Sequence, residues 1–167
     1  MKPFQTVIKK LETEVKALFQ GNLDEQAVIP PIDLGGKDTF VVDWQGLTHL
    51  NSRGIAKWVK WVDDFETHNP GCKIVFKNCP QIVVNQMNTI KGFLPRRARV
   101  ESFAVPFYSE TTDQTEFVLY EENRHFYVEG DKVEFKHPVD LISAQTGEKL
   151  ELDVVPEKYF AFFSRWK

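Results

Sequence analysis

Cysteine is scarce in this chain. Cys72 and Cys79 are the only two, with six residues between them. Two thiols make neither a four-ligand metal centre nor a disulfide framework, so both are expected to be reduced and partly buried. Long apolar runs are missing as well. No stretch approaches a membrane span, and the opening residues MKPFQTVIKKLETEV lack the apolar core of a secretory signal. The expectation is a cytoplasmic protein. Nor does one sign of charge dominate. Lys and Arg total 21 against 24 Asp and Glu, a net charge of −3 with no long block of either sign. Nucleic acid and anionic membranes are therefore not expected partners. Arg96, Arg97 and Arg99 form the one dense basic cluster; it reads as a solvated loop or strand start, with a weak anion patch as the alternative. The chain also lacks a nucleophile elbow, a Gly-rich phosphate loop and a His-Glu metal motif. Asp43, His49 and Ser52 have the residue types of a triad but nothing beyond types, and His125 and His137 lack ligand spacing. No catalysis, metal or cofactor is expected.

What is present is a globular composition. Hydrophobic residues make up 42% of the 167, and 14 Phe with 4 Trp promise an aromatic core. The length suits one ordinary domain, or one domain with a small appendage. Residues 4–19 are ambiguous: Val7, Leu11, Val15 and Leu18 have helical spacing, whereas Val15, Ala17 and Phe19 alternate as in a strand that ends at Gly21-Asn22. Pro30-Pro31 and Gly35-Gly36 punctuate an irregular connection. Thr39 to Trp44 is a continuous β-prone run, fit for a strand buried on both faces. A tight loop follows, and then an amphipathic helix from Arg53 to His68, with Ile55, Val59 and Val62 on its apolar face, Trp58 and Phe65 flanking, and Lys57, Lys60 and Asp64 opposite. Lys73–Lys77 reads as a second strand, Pro80–Ile90 as a second helix and Arg99–Tyr108 as a third strand. Alternating strand and helix predicts a parallel sheet with helices packed on it.

Beyond Tyr108 the pattern becomes short strands, at 116–121, 125–128, 133–136 and 149–154, with turns at Glu129-Gly130-Asp131 and Gln145-Thr146-Gly147. Pro156 opens an aromatic tail, in which Tyr159, Phe160, Phe163 and Trp166 are expected to dock on an apolar surface. The predicted organisation is α/β: residues 1–106 form a sheet-and-helix domain, and 107–167 a small β-rich domain.

The first two-thirds of the chain resembles the STAS domain, the fold of anti-sigma factor antagonists. The residues that carry the likeness are Gly21-Asn22-Leu23-Asp24, the strand Phe40 to Asp43, Gly46-Leu47-Thr48, Asn51-Ser52-Arg53-Gly54-Ile55 and the helix closing on Lys91-Gly92-Phe93. The resemblance implies a mixed sheet with helices packed on it. It further implies a non-catalytic regulatory module that binds a protein partner, an anti-sigma factor or kinase-like regulator, and that loses the partner when a serine is phosphorylated. By position that serine is Ser52. Asn22, Asp24, Asn51, Ser52, Arg53 and Gly54 would form the binding loops. Asn51 departs from the family's usual Asp: it keeps the size and hydrogen-bonding capacity without the charge.

Two further readings stand beside this one. Ser52 serves either as a switch or simply as a helix N-cap. Trp61 is either a boundary core residue or an aromatic anchor for the partner. The same loops would also suit a small molecule or nucleotide, since helix N-termini hold anions, and a purely structural role in assembly is the third option. The C-terminal part resembles the zinc ribbon appended to some STAS-like bacterial proteins. Ser109-Glu110-Thr111-Thr112 and Ser143-Ala144-Gln145-Thr146-Gly147 stand where Cys-x-x-Cys knuckles would be. Hydroxyls do not replace thiolate ligands. The resemblance therefore implies a degenerate ribbon without metal, its knuckles held by turn hydrogen bonds; an unrelated β-meander is the alternative.

Overall fold

A computed structural model describes residues 2–138 and 140–165. Trp166, expected among the docking aromatics, lies outside the described residues. The fold is α/β. β1 (Gln5–Lys10), β2 (Val15–Leu23), β3 (Thr39–Leu50), β4 (Lys73–Lys77) and β5 (Ala98–Val100) form a five-stranded sheet in that order. β1 is antiparallel to β2, and the remaining pairs are parallel. Helix α1 (Ser52–His68) joins β3 to β4, and α2 (Gln81–Thr89) joins β4 to β5. Two right-handed crossovers taken in the same direction put both helices on one face of the sheet.

Residues 5–10 are a strand, not part of a helix. Their apolar pair, Val7 and Ile8, stays 41% and 40% exposed. The segment is held by its ladder to β2 (Val7 opposite Leu18, Ile8 opposite Ala17) rather than by burial. β3 runs on to Leu50, well past Trp44, because β2 also continues and pairs with it. Two register shifts absorb the extra residues. Phe40 to Trp44 are all buried, as expected of a strand covered on both sides. Phe40, Val42 and Trp44 meet the helices. On the other face Asp43 takes a 2.7 Å ion pair from Lys16 and a 2.9 Å hydrogen bond from the Asn78 side chain. Burial raises the Asp43 pKa, but the hydrogen bonds from Lys16, Asn78 and the Gln45 N–H outweigh it and leave the carboxyl below its ordinary value.

The buried stripe of α1 is Trp58, Val62 and Phe65. Ile55 and Val59, expected on the apolar face, are only half-buried. The sheet decides this: Trp58 has Trp44, Phe19 and Phe76 beneath it at ring-centroid distances of 4.9, 5.8 and 5.9 Å, and its indole N–H donates to Phe93 O at 2.8 Å.

After β5 the chain passes Glu101 and enters β6 (Ser102–Ser109), which pairs with β7 (Gln114–Glu121). β8 (Phe126–Glu129) and β9 (Lys132–Phe135) form a hairpin, and β10 (Glu151–Leu152) completes the sheet order β10-β6-β7. Two short helices follow, α3 (Pro156–Tyr159) and α4 (Phe162–Arg165). Residue 106 lies inside β6, and the backbone just before it is tied to the segment that follows β4. The Cys79 N–H donates to Ser102 O at 3.1 Å, and the Ala104 N–H to Cys79 O at 2.8 Å. One hydrophobic cluster spans both regions. Phe103 is its joint, with Phe162, Phe126 and Tyr120 rings at 5.3, 5.5 and 5.9 Å. Tyr159 and Phe160 are buried as expected, the Tyr159 hydroxyl donating to Ala104 O at 2.6 Å. No helix among the described residues is long and apolar enough to cross a membrane.

Two histidines sit in this second core. His125 stacks on Tyr120 at 5.0 Å, and its Nδ1 accepts the Glu121 N–H. His137 stacks on Phe135 at 5.5 Å and shares a 2.9 Å hydrogen bond with the Tyr120 hydroxyl. Burial holds both below the ordinary value of 6.5, with Arg124 adding to the effect at His125. The folded state thus favours the neutral rings. Their contribution to stability is complete above pH 6.5 and declines as pH falls from there through the lower folded values. The melting temperature is expected to drop between pH 7 and 5, before the carboxylates titrate, and the slope to shrink in His137→Gln. An unchanged slope in that variant would exclude His137 from the effect.

Candidate functional site

The C-terminal end of β2 and the start of α1 meet here. β2 ends at Leu23 and β3 at Leu50, neighbours in the parallel ladder. The Asn51 N–H donates to Leu23 O at 3.3 Å, and α1 then begins directly above that carbonyl. A Cβ on Gly54 would lie 1.9 Å from Leu23 O, so only glycine lets the first turn sit there.

The helix is capped by Asn51, not by Ser52. Asn51 is extended, and its Oδ1 accepts the Gly54 N–H at 2.9 Å. Its Nδ2 donates to Glu25 Oε2 at 2.9 Å. The amide thus uses both ends, and its hydrogen bond is the main cause that lowers the Glu25 carboxyl below its ordinary 4.5. An aspartate would cap equally well but would set two carboxylates against each other. Lys57, expected on the solvent side, ties the same loop to the helix by donating to the carbonyls of Glu25 and Ala27 at 2.5 and 2.8 Å.

With the cap supplied by Asn51, Ser52 is the first helical residue, exposed, and its hydroxyl has no hydrogen-bond partner among the described residues. It stands at one end of an open groove of about 950 Å³ between α1 and the segment after α2. Ile55, Ala56 and Val59 form one wall, and Leu94 and Pro95 the other. Lys60, Lys91 and Arg96 lie along it with Asp63 and Glu66. The half-exposed Ile55 and Val59 are therefore the groove's apolar surface.

The other site residues separate into roles. Arg53 is exposed beside Ser52. Asp24 forms the turn after β2, its side chain accepting the Gln26 N–H at 2.9 Å. Asn22 is buried beneath, accepting the Thr48 hydroxyl at 2.8 Å. Trp61 lies away from the groove on the side of the 24–38 connection, stacked on Phe65 at 5.0 Å and donating to Pro30 O. Glu25 and the groove wall at Leu94-Pro95 were not legible beforehand; their partners lie 26 residues and more away in sequence, and no local pattern announces them. No hydrogen bond among the described residues joins Asp43, His49 and Ser52, and Asp43 is taken by Lys16 and Asn78. No group of three His, Cys, Asp or Glu converges among the described residues.

In the C-terminal part, Ser109 and Ser143 are 1% and 2% exposed. Each hydroxyl accepts backbone N–H groups of its own turn: Thr112 for Ser109, Gln145 and Thr146 for Ser143. Ser143 also donates to the Glu116 carboxylate, which lies on β7 opposite Phe107 and so on the same sheet face as Ser109.

No family model matches the chain, and no match is found among curated proteins.

Two variants test the geometry. Gly54→Ala forces α1 off β2, with an expected loss of about 3 kcal/mol and a fall of roughly 10 °C in the melting temperature. Stability equal to wild type would mean that the helix start is not seated as described. Asn51→Asp is expected to raise the Glu25 carboxyl pKa, read by NMR titration; a value unchanged or lower would show that the amide bridge does not form in solution.

Proposed function

We propose that this chain is a non-catalytic, cytoplasmic regulatory module of the anti-sigma factor antagonist type, and that it binds a protein partner at the α1 groove under the control of Ser52. The observation that carries the reading is the freedom of the Ser52 hydroxyl. Its structural use, the cap, is taken by Asn51, which leaves an exposed acceptor at the end of an apolar-walled groove. The first turn of a helix favours an added negative charge. A phosphate there adds charge and a tightly held water shell at the groove mouth, which opposes docking of an apolar partner surface. The STAS-like assignment draws support from the parallel β2–β3 pair, the Gly54 contact and the helix order. The degenerate-ribbon assignment draws support from the two buried, turn-capping serines.

A second reading is favoured by one observation. The groove's volume, about 950 Å³, falls within the range of small-molecule sites. In that case the same groove would hold a ligand.

The test uses tagged full-length chain expressed in its native cell. Wild type, Ser52→Asp and Ala56→Arg are compared for captured proteins, with circular dichroism to verify folding. A partner retained by wild type and lost from both variants supports the proposal. Identical capture by all three would refute it, and a ligand-induced thermal shift abolished by Ala56→Arg would favour the second reading.

A further inference from the structure

The strands of this molecule do not guard their free edges alike. β1 ends in Lys9 and Lys10, β5 has three residues and β10 two. Short length and lysine both discourage pairing with another chain. β7 has neither protection. Its eight residues, QTEFVLYE, contain no Lys, Arg, Pro or Gly, and it ends the sheet order β10-β6-β7 with one side unpaired among the described residues. Phe117 and Leu119 project from its outer face, 54% and 40% exposed.

We infer that β7 is the contact strand of a symmetric dimer, pairing antiparallel with β7 of a second copy so that the three-stranded sheets join into one of six. Charge selects the register. A two-fold axis at Val118 sets Phe117 against the partner's Leu119, Thr115 against the partner's Glu121 and Glu116 against the partner's Tyr120. No like charges meet. An axis at Phe117 would oppose Asp113 to the partner's Glu121, and an axis at Leu119 would oppose Glu116 to the partner's Glu122. A slip of one residue would put exposed and buried faces on the same side. The Val118 register therefore combines two cross-strand apolar pairs with no repulsion. β7 lines no part of the α1 groove, so the contact does not draw on the groove's residues.

Sedimentation velocity of the full chain over a concentration series is the first measurement. A monomer–dimer equilibrium is expected, and Leu119→Lys, at an exposed position, is expected to remove the dimer with the circular dichroism spectrum unchanged. The register is read by cross-linking in a Cys72→Ser background. Phe117→Cys chains mixed with Leu119→Cys chains should oxidise to the mixed dimer in preference to either self-linked product, while the second Phe117–Leu119 contact stays intact. A monomer at every concentration overturns the proposal and leaves the strip to a different protein. A dimer indifferent to Leu119→Lys overturns it as well, and dominant self-linking overturns the register.

Discussion

The contact on which the rest turns is the seat of α1 on the end of β2. A helix cannot approach a strand's carbonyl this closely with any side chain between them, and a Cβ at Gly54 would stand 1.9 Å from Leu23 O. Because the first turn is fixed there, Trp58 arrives over Trp44, Phe19 and Phe76, and the indole closes the aromatic core. The same seat leaves Ile55 and Val59 beside the sheet rather than on it. The groove is thus a by-product of where the helix must start. Its helix wall is formed by Ile55 and Val59, which this seat leaves half-buried.

The second part of the molecule depends on the first through the backbone as well as through packing. β6 takes up the hydrogen bonds that Cys79 offers beyond β4, α2 packs against β6, α3 and α4, and α4 sets Phe162 and Phe163 on Phe103. A segment of about sixty residues buries only a marginal core of its own, which small domains often supplement with disulfides or metal. Here the missing cross-links are replaced by a shared aromatic core and by two buried serine turns. Ser109 and Ser143 satisfy backbone N–H groups of their own turns.

Much of this was legible in the sequence, and the failures have physical reasons. β4, α1 and α2 stood where periodicity and Pro punctuation placed them, since strong local signals and tertiary burial agree there. β1 was ambiguous because an edge strand with lysines buries almost nothing, so its alternation carries no information. The end of β3 was missed because Gly46 interrupts the apolar run and Gln45, Thr48 and His49 add no apolar alternation; the ladder to β2 holds the segment. The face of α1 was rotated by its tryptophan, whose burial depends on rings that only the folded sheet assembles. Within the site, Gly54 and Ser52 were visible as a motif. Glu25 and Leu94 were not, because long-range pairs have no local signature.

The departure at position 51 is best understood as a relocation of charge. A helix start favours a carboxylate, and an aspartate cap would provide one. Here the cap is neutral, and the carboxylate belongs to Glu25, held one hydrogen bond further out by the Asn51 amide. Arg53 and Lys57 lie close enough to favour its ionised form. The first turn therefore keeps its negative neighbour but gains a connection to the 24–27 loop, which Lys57 also grips through two carbonyls. An aspartate at 51 would need Glu25 to turn away, and the loop would lose one of its ties to the helix. Position 51 and position 25 are consequently one choice, and a change at either is constrained by the other.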